Sequence, residues 1–330
     1  MRRHQRPMSR VLLLAAVALA AHVQSGCSRR NPDSPTPAPA PREYVQRRPI
    51  IIGTVSRDAD TELRALKPLA GYLAARLSGA GVSGAMVAVA PDIPAMADLL
   101  RTGQVDLYID DPFAVIAASR LTNIEFLLQG REAGAGGSHS VIFARARSGL
   151  GSLDDLRGRM VAFAEPSRGP WYLLSKASLL QAGLSLSQKP NTTSAVGRRE
   201  VGYVFSDDDA QTVTWVLRGT VDAGAIDNAS FDKLARGRKK LAVLSRTIEV
   251  PKQVVSCRRD LRPHLVKALA AALAGMNRTA DGRAVLARFD KTRQFDVLDE
   301  DGKAAFERIR KLARLIGPEI LATASAGETR

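Results

Sequence analysis

The sequence predicts an α/β protein of two lobes, each built on a mixed, mostly parallel sheet flanked by helices. Apolar strand-like runs alternate with helix-like segments, which is the pattern of parallel βαβ units. Without its amino-terminal segments the chain keeps about 280 residues, more than one core usually organises. The segment TGQVDLYIDD is echoed by RGTVDAGAIDN, so we expect one supersecondary unit to occur once in each lobe.

The first lobe reads as alternating strands and helices. IIIGTVS, AMVAVA and VDLYID are predicted strands, and residues 60–77 have the apolar spacing of an amphipathic helix. A second helix over 93–101 ends at Thr102-Gly103, a typical C-cap, and Pro112 opens a third. The strand–helix junctions should share one edge of the sheet, where ligands bind in such folds.

The second lobe begins near residue 143. VIFARA, MVAFAE, VGYVF and VDAGAI are predicted strands, with helices from Pro170, over 210–218 and over 228–236. Ser152 followed by Asp155 predicts a helix start between the first two strands. LAVLSRTIEV leads back to the first lobe, and residues 261–317 are predicted to be mostly helical and to pack as one carboxy-terminal layer. The predicted lobes are therefore 49–142 with 246–330, and 143–245.

The amino-terminal segments predict export. Four arginines precede an apolar run over 11–21, which is too short to span a bilayer, so residues 1–26 read as a signal peptide. The residues before Cys27 resemble a bacterial lipoprotein cleavage box, with Gln24 at a usually apolar position. Residues 27–48 are a Pro-rich, disordered tether. We expect a periplasmic or cell-envelope protein held to the membrane by a lipid on Cys27; cleavage and release is the alternative.

The net charge and the cysteine content indicate which ligands, partners and cross-links to expect. The net charge is +15, and residues 1–48, with nine Arg and two acids, contribute +7 of it. The remaining +8 weakly favours anionic ligands. The basic run 236–240 is predicted to be a solvated turn, so no nucleic-acid partner is expected. If Cys27 carries a lipid, no intrachain disulfide can form, and Cys257 should be a buried apolar residue.

Nothing in the motifs indicates an enzyme. Once the signal peptide is removed, His139 and His264 are the histidines left, and they lie far apart without metal-ligand spacing. A GxSxG nucleophile motif is absent from the sequence. We therefore predict no catalytic residue, no metal and no cofactor.

The turn between MVAFAE and the helix from Pro170 predicts a ligand site. A helix that starts at the end of a strand presents free N–H groups and the positive end of its dipole, which favour an anionic group. An ordinary strand–turn–helix connection is the alternative.

The order of these segments resembles a known family. GTVSRDADTELRALKPLAGYLAARL, TGQVDLYIDDPFAVIA, SHSVIFARARSGLGSLDDLRGRMVAFAEPSRG and LRGTVDAGAIDN resemble periplasmic solute-binding proteins of the type II fold, specifically the phosphate/phosphite/phosphonate-binding group of ABC transporters. The resemblance covers residues 50–317. It implies two lobes joined by a two-strand hinge that close over one solute, and a membrane permease and ATPase that complete uptake. It also implies an anion-holding turn, which Ser167 and Gly169 match and Arg168 does not.

The candidate ligand residues lie at the rim of each lobe, the edge of the sheet where the predicted strands end and the helices begin. They are Ser56, Asp110, Asp111, Ser167, Arg168, Gly169, Asp208 and Asp227. Arg168 and the helix N-terminus favour a carboxylate or phosphonate. Several carboxylates cannot all face a dianion in a partly dry cleft, so either some point to solvent or the solute also carries an amine. Each of these aspartates alone is also a typical helix cap.

These observations predict a monomeric, extracytoplasmic component of an ABC importer. It would bind a small oxyanion or a phosphonate-like solute, zwitterions included, in the cleft between the lobes and release it chemically unchanged. The alternative is a lipoprotein sensor that presents a solute to a membrane kinase or receptor without import. Neighbouring permease and ATPase genes would distinguish the two.

Overall fold

The structure, a computed structural model, describes residues 48–132, 137–164, 170–235, 240–289, 292–317 and 319–323. Its strands form two sheets of six strands each. The first sheet contains β1 (Arg48–Val55), β2 (Val82–Ala90), β3 (Leu107–Asp110), β4 (Ile124–Glu132), β11 (Gln253–Arg258) and β12 (Thr292–Val297). The second contains β5 (Ser140–Arg145), β6 (Met160–Ala164), β7 (Ser185–Gln188), β8 (Glu200–Ser206), β9 (Ala223–Asp227) and β10 (Leu241–Arg246).

Both sheets are mixed. The strand order is β12-β4-β11-β3-β1-β2 in the first sheet and β10-β5-β9-β6-β8-β7 in the second. The strands of the βαβ units pair in parallel, β1 with β2 and β3, and β6 with β8 and β9. The strands that follow a passage between the sheets pair antiparallel: β5 joins β9 and β10, and β11 joins β3 and β4. The predicted fold class is confirmed.

Helices cover both faces of both sheets. They are α1 (Ala59–Leu77), α2 (Ile93–Arg101), α3 (Pro112–Leu121), α4 (Trp171–Gln181), α5 (Asp209–Arg218), α6 (Asn228–Ala235), α7 (Pro263–Ala274), α8 (Ala280–Leu286), α9 (Glu300–Ile316) and α10 (Glu319–Thr323). Apolar side chains of α1, α7 and α8 pack on one face of the first sheet, and those of α5 and α6 on one face of the second. A third core is continuous from α2 and α3 through α9 to α4.

The sequence explains where α2 begins and ends. Asp92 accepts a hydrogen bond from the backbone N–H of Ala95 at 2.8 Å, which caps the helix start. The helix ends at Arg101, and Gly103 follows with a φ of +73°, a left-handed conformation that glycine adopts without a steric penalty. Both predicted bounds of this helix are confirmed.

The predicted repeat is present at the same place in both sheets. Asp106 and Asp222 each precede a strand and accept a hydrogen bond from a backbone N–H of the neighbouring strand. The distances are 3.0 Å from Ile51 N to Asp106 and 2.9 Å from Met160 N to Asp222. Each aspartate therefore fixes the register of a parallel pair with a side chain that the sequence places directly before the strand.

The predicted helix start at Ser152 is wrong. A single 3-10 turn, Asp154–Leu156, is formed there instead of an α-helix. The Asp155 carboxylate accepts the backbone N–H groups of Gly151 and Ser152, both at 2.9 Å. These hydrogen bonds close the loop on itself, and β6 follows after a short connection.

The carboxy-terminal region is not one helical layer. β12 lies within it and pairs antiparallel with β4, and buried Phe295 contributes to the core of the first sheet. In addition, α7 and α8 pack on one face of that sheet while α9 packs on the other. The short strand β7 was not predicted either, because its sequence SLSQ lacks a strand's apolar alternation.

The chain passes twice between the sheets, once after β4 and once after β10. The two passages pair with each other through an isolated antiparallel bridge, in which Val250 N donates to Ser138 O at 2.8 Å. Beside it, Thr247 N donates to Ser140 O at 3.0 Å. Two hydrogen-bonded segments therefore link the sheets, as the predicted two-strand hinge requires.

Both carboxy-terminal helices lie where the elements of the two sheets meet. α9 packs against α3 and against α4, and α10 packs against α3. Glu319 of α10 forms an ion pair with Lys176 of α4, 2.6 Å between Oε2 and Nζ. Lys176 is 9% exposed, and its ammonium also donates to the hydroxyls of Tyr203 and Tyr172, at 3.0 and 3.1 Å.

Several predictions about the ends of the chain lie outside the described residues. These are the signal peptide, Cys27 and the tether up to residue 47; Arg48, counted with the tether, begins β1. Cys257 is fully buried as predicted, and burial raises the pKa of its thiol to about 12. Within the described ranges, no helix is long and apolar enough to cross a membrane.

Candidate functional site

Two predicted site residues meet at the carboxyl ends of β1 and β3. Asp110 ends β3, and its Oδ2 accepts hydrogen bonds from Val55 N at 2.9 Å and from Thr54 Oγ1 at 3.4 Å. Ser56 comes directly after Val55, so it lies beside Asp110 at this edge. The Ser56 hydroxyl accepts a hydrogen bond from Asp58 N at 3.2 Å, and its own N–H donates to Ala90 O.

Asp111 is the cap of α3. Its Oδ1 accepts the N–H groups of Phe113 and Ala114, at 2.8 and 3.1 Å, which satisfies two of the free donors of the first helical turn. Asp110 Oδ1 in turn accepts the N–H of Asp111 at 2.8 Å. Two carboxylates that follow each other in the chain are thereby held together at one edge of the first sheet.

The environment of this pair disfavours two negative charges. Burial and then the charge of Asp111 raise the pKa of Asp110 to about 7. Burial also raises the pKa of Asp111, although the backbone N–H groups of α3 act in the opposite direction. Beside them lies Tyr108, whose side chain is fully buried. Its hydroxyl makes no hydrogen bond of good geometry within the described part of the chain.

In the second sheet, Asp208 and Asp227 act as helix caps. Asp208 accepts the N–H of Gln211 at 2.7 Å and begins α5, and Asp227 accepts the N–H of Ser230 at 2.9 Å in the first turn of α6. They follow β8 and β9, which flank β6, so both lie at the carboxyl edge of this sheet. The sequence alone did not decide between cap and ligand contact, and the geometry assigns each carboxylate a capping bond.

Ser167, Arg168 and Gly169 lie outside the described residues, which end at Ala164 and resume at Pro170. α4 begins directly after them. Unlike α1, α2, α3 and α5, each capped by an aspartate, α4 has Pro170 before its first residue and no capping side chain among the residues that the structure describes. Within the described residues, therefore, no capping side chain accepts the N–H groups of its first turn.

Sequence reasoning missed Tyr108 and Thr54. Both lie on strands near their carboxyl ends, and both were read as ordinary strand residues. The available signal was a hydroxyl in the middle of a predicted strand, as Tyr108 is within VDLYID, because a buried hydroxyl needs a partner.

The other features of the described structure are weaker candidates for a ligand site. A cavity of about 100 Å³ lies at the opposite edge of the first sheet, lined by residues such as Arg48, Val82 and Arg258. It is remote from the carboxyl edges, and two of its arginines already pair with Asp106. Among the described residues, no group of three or more His, Cys, Asp or Glu side chains could hold a metal ion.

Comparison with known proteins identifies the class. Residues 52–302 match the family described as "ABC transporter, phosphonate, periplasmic substrate-binding protein". Because the match covers most of the chain, this protein belongs to that family. The predicted family is thereby confirmed, and the class is that of the periplasmic solute-binding components of ABC transporters rather than a class of enzymes.

Solved structures agree with the fold. The chain is similar to XAC2383 from Xanthomonas citri bound to chloride, with 25% identity, a TM-score of 0.70, and coverage of 81% of this chain and 98% of that one. It is similar to the phosphonate-transporter binding protein PA3383 from Pseudomonas aeruginosa (18% identity, TM-score 0.52, 86% and 90% covered). It is also similar to PhnD1 from Prochlorococcus marinus in complex with methylphosphonate, with 16% identity, a TM-score of 0.54, and coverage of 80% of this chain and 97% of that one.

Proposed function

We propose that this protein binds a small phosphonate-type anion between two lobes, with α4 and the turn before it holding the anionic group. The observation that carries the proposal is the start of α4, which no described side chain caps and which follows the second lobe's central strand β6 in a chain of this family. A helix N-terminus of this kind stabilises an anion through free N–H groups and through its dipole. The methylphosphonate complex of PhnD1 supports the same ligand class.

The lobes in this proposal are residues 49–142 with 246–330, and 143–245. Binding energy from the solute would favour the closed arrangement, and the paired passages around Ser138 and Val250 would bend. Ser167, Arg168 and Gly169 would contact the anion from the second lobe, and Ser56, Asp110 and Asp111 would face it from the first. Asp208 and Asp227 would act through the helices that they cap.

The wider setting of the protein belongs to the same proposal. The solute would pass unchanged to a permease and its ATPase, and the binding protein would act as a monomer without cofactor or metal. A lipid on Cys27 would hold it to the membrane. Mass spectrometry of the amino terminus, in wild type and in Cys27→Ala, tests the anchor.

Calorimetric titration of the purified protein with methylphosphonate, phosphate, alkanesulfonates and amino acids tests the ligand class. A solute at 100 times its Kd should stabilise the protein by about 2.7 kcal/mol, so thermal shifts provide a parallel readout. Ser167→Ala and Arg168→Ala should weaken binding, and Arg147→Ala, an exposed arginine in the turn after β5, is the matched control. Stabilisation by amines or cations alone, with phosphonates inert, would contradict the proposal.

A further inference from the structure

A row of exposed cations lies along the amino edge of the second sheet, the edge opposite the one where the predicted ligand residues lie. Strands β6, β8, β9 and β10 begin at this edge, and antiparallel β5 ends there. We call this row the basic edge. Its members are Arg145, Arg147, Arg198, Arg199, Arg218 and Lys240, and all six are exposed.

The cations at one end of the basic edge are close neighbours. Ala146 N donates to Lys240 O at 2.8 Å, which joins the end of β5 to the start of β10. The Arg145 guanidinium lies over Gly219, since a Cβ at that glycine would be 3.2 Å from it. Arg145 is therefore next to Arg218, which precedes Gly219 at the end of α5.

The row continues to the start of β8. Gly158 N donates to Glu200 O at 2.7 Å, and a Cβ at Gly158 would lie 3.6 Å from the Cα of Arg198. Arg198 and Arg199 are thus beside the turn that leads into β6. The basic edge crosses five strands, β10, β5, β9, β6 and β8, which corresponds to about 20 Å at the usual strand spacing.

The carboxylates near the basic edge are already engaged elsewhere. They bind backbone N–H groups or other cations: Asp154 pairs with Arg157, Asp155 accepts from Gly151 and Ser152, Asp222 binds Met160 N and Arg159, and Glu200 binds Lys189 and Gly197 N. Within the described part of the chain, none of the six cations forms an ion pair. Their positive charges are therefore not neutralised by the protein, and they repel one another.

The fold does not require this surplus of charge. At the amino edge of the first sheet, buried Asp106 neutralises both Arg48 and Arg258. In the basic edge, Arg145 and Arg218 gain from the negative end of the α5 dipole, but Arg147, Arg198 and Arg199 lie at no helix end. Exposed cations that stabilise nothing in the protein favour an anionic partner outside it.

The surroundings of the basic edge indicate which partner fits. A protein interface has an apolar or aromatic centre. The large apolar side chains that are exposed in the described residues are Leu63, Met86, Leu121, Val243, Val297 and Leu315, and none of them lies in the turns of this edge. Lipid headgroups need only charge, and each Lys or Arg near an anionic bilayer strengthens binding. The family is periplasmic, so bilayer surfaces are within its reach.

We propose that the basic edge is a docking surface for the phosphate-bearing headgroups of an anionic phospholipid bilayer. The contact is electrostatic and reversible, and it does not depend on which solute the protein carries. Strands β6, β8 and β9 have five to seven residues, so the basic edge lies about 15–20 Å from the carboxyl edge of the same sheet. A bilayer at the basic edge therefore leaves the carboxyl edge uncovered.

Vesicle co-sedimentation tests this proposal. The chain is used without its signal peptide and with Cys27→Ala, so that neither an apolar segment nor a lipid holds it to a bilayer. It should bind vesicles of equal parts phosphatidylglycerol and phosphatidylcholine, and should not bind vesicles of phosphatidylcholine alone. Rising salt should release it, because exposed charges are screened.

Two triple variants with the same loss of charge locate the surface. Arg147→Gln, Arg198→Gln and Arg199→Gln together should lower the partition coefficient on the anionic vesicles roughly tenfold to a hundredfold, since each cation near such a surface contributes about fivefold. Arg308→Gln, Lys311→Gln and Arg314→Gln on the exposed face of α9 form the matched control, which should change it far less. Circular dichroism and the melting temperature show that both variants are folded, as exposed substitutions should be.

Each other outcome overturns the proposal. Absence of binding to the anionic vesicles, or equal binding to both kinds of vesicle, would exclude an anionic lipid surface as the partner. Equal losses in the two triple variants would mean that net charge alone drives binding, and a loss confined to the α9 variant would place the contact on that helix. Binding to polyglutamate without binding to vesicles would assign the basic edge to an acidic protein.

Discussion

The ion pair between Lys176 and Glu319 offers a quantitative test of how the two halves of the protein are joined. The Lys176 ammonium contacts Glu319 at 2.6 Å and the hydroxyls of Tyr203 and Tyr172 at 3.0 and 3.1 Å. Glu319→Ala would leave this ammonium with two neutral oxygens in a site that is largely closed to water. We expect the free energy of unfolding to fall as a result.

The size of the effect follows from burial. Removing one partner of a fully buried ion pair costs about 3–5 kcal/mol. The Lys176 side chain is 11% exposed but that of Glu319 is 29% exposed, so water screens part of the charge that is left. We therefore expect Glu319→Ala to cost about 2–3 kcal/mol. Lys176→Met combined with Glu319→Ala leaves no buried charge and should cost less than the two single changes added together.

Urea unfolding followed by tryptophan fluorescence measures all four members of this cycle. Trp171 lies in α4 five residues from Lys176 and reports on the region directly. Glu307→Ala is the control, since Glu307 forms an ion pair with Arg310 on the exposed face of α9 and should cost under about 0.5 kcal/mol. Strict additivity within the cycle, or a cost for Glu319→Ala no larger than the control's, would refute the reasoning.

Three further perturbations test other parts of the structure. Asp106→Asn should lower the free energy of unfolding in urea by about 2–3 kcal/mol, because the Asp106 carboxylate is fully buried between two arginines. Asp222 occupies the equivalent position in the second sheet but is more exposed, so Asp222→Asn should lower it by about 1 kcal/mol. Gly53→Ala should cost about 1–3 kcal/mol, since a Cβ there would lie 2.7–2.8 Å from neighbouring side chains, whereas Gly71→Ala, with no atom within 4 Å, should raise the melting temperature. The pKa of Asp110 rises from its ordinary value of 3.8 to about 7 in the folded protein. Between these two pH values the native state holds a proton that the unfolded chain has released. The free energy of unfolding of the wild type should therefore fall with rising pH relative to that of Asp110→Asn.

Each of these predictions has a clear contrary result. Equal losses for the two aspartate variants would mean that burial does not set the difference between the sheets. An unaffected Gly53→Ala would show that the packing around β1 can adjust. A stability difference between wild type and Asp110→Asn that stays constant over this pH range would mean that Asp110 has an ordinary pKa in the folded protein.

Periodicity and capping residues predicted most of the fold. The helix over 93–101 was recognisable because its apolar spacing begins after Asp92 and ends before Gly103, and both residues stabilise the ends in the structure. β7 and β12 were missed for a physical reason: one is short and polar, and the other carries charged residues at the edge of its sheet. Such strands gain their stability from pairing, which a local pattern does not contain.

The candidate site was predictable in position but not in detail. The rule that strand ends share one edge placed Asp110, Asp208 and Asp227 correctly at carboxyl edges. Whether a carboxylate caps a helix or faces a solute depends on its rotamer, which the sequence leaves open. The contact of Glu319 with Lys176 joins residues 143 positions apart, and no local pattern predicts it.

β11 lies between β3 and β4, although the whole second sheet separates it from them along the chain. While the chain is being synthesised, the first half of the molecule therefore holds a split sheet whose middle strand has not yet been made. The other half comes from one uninterrupted stretch and lacks no strand once Arg246 has emerged. Long-range pairing of this kind delays folding. The first sheet can therefore close only after most of the chain has been made, whereas the second can close earlier.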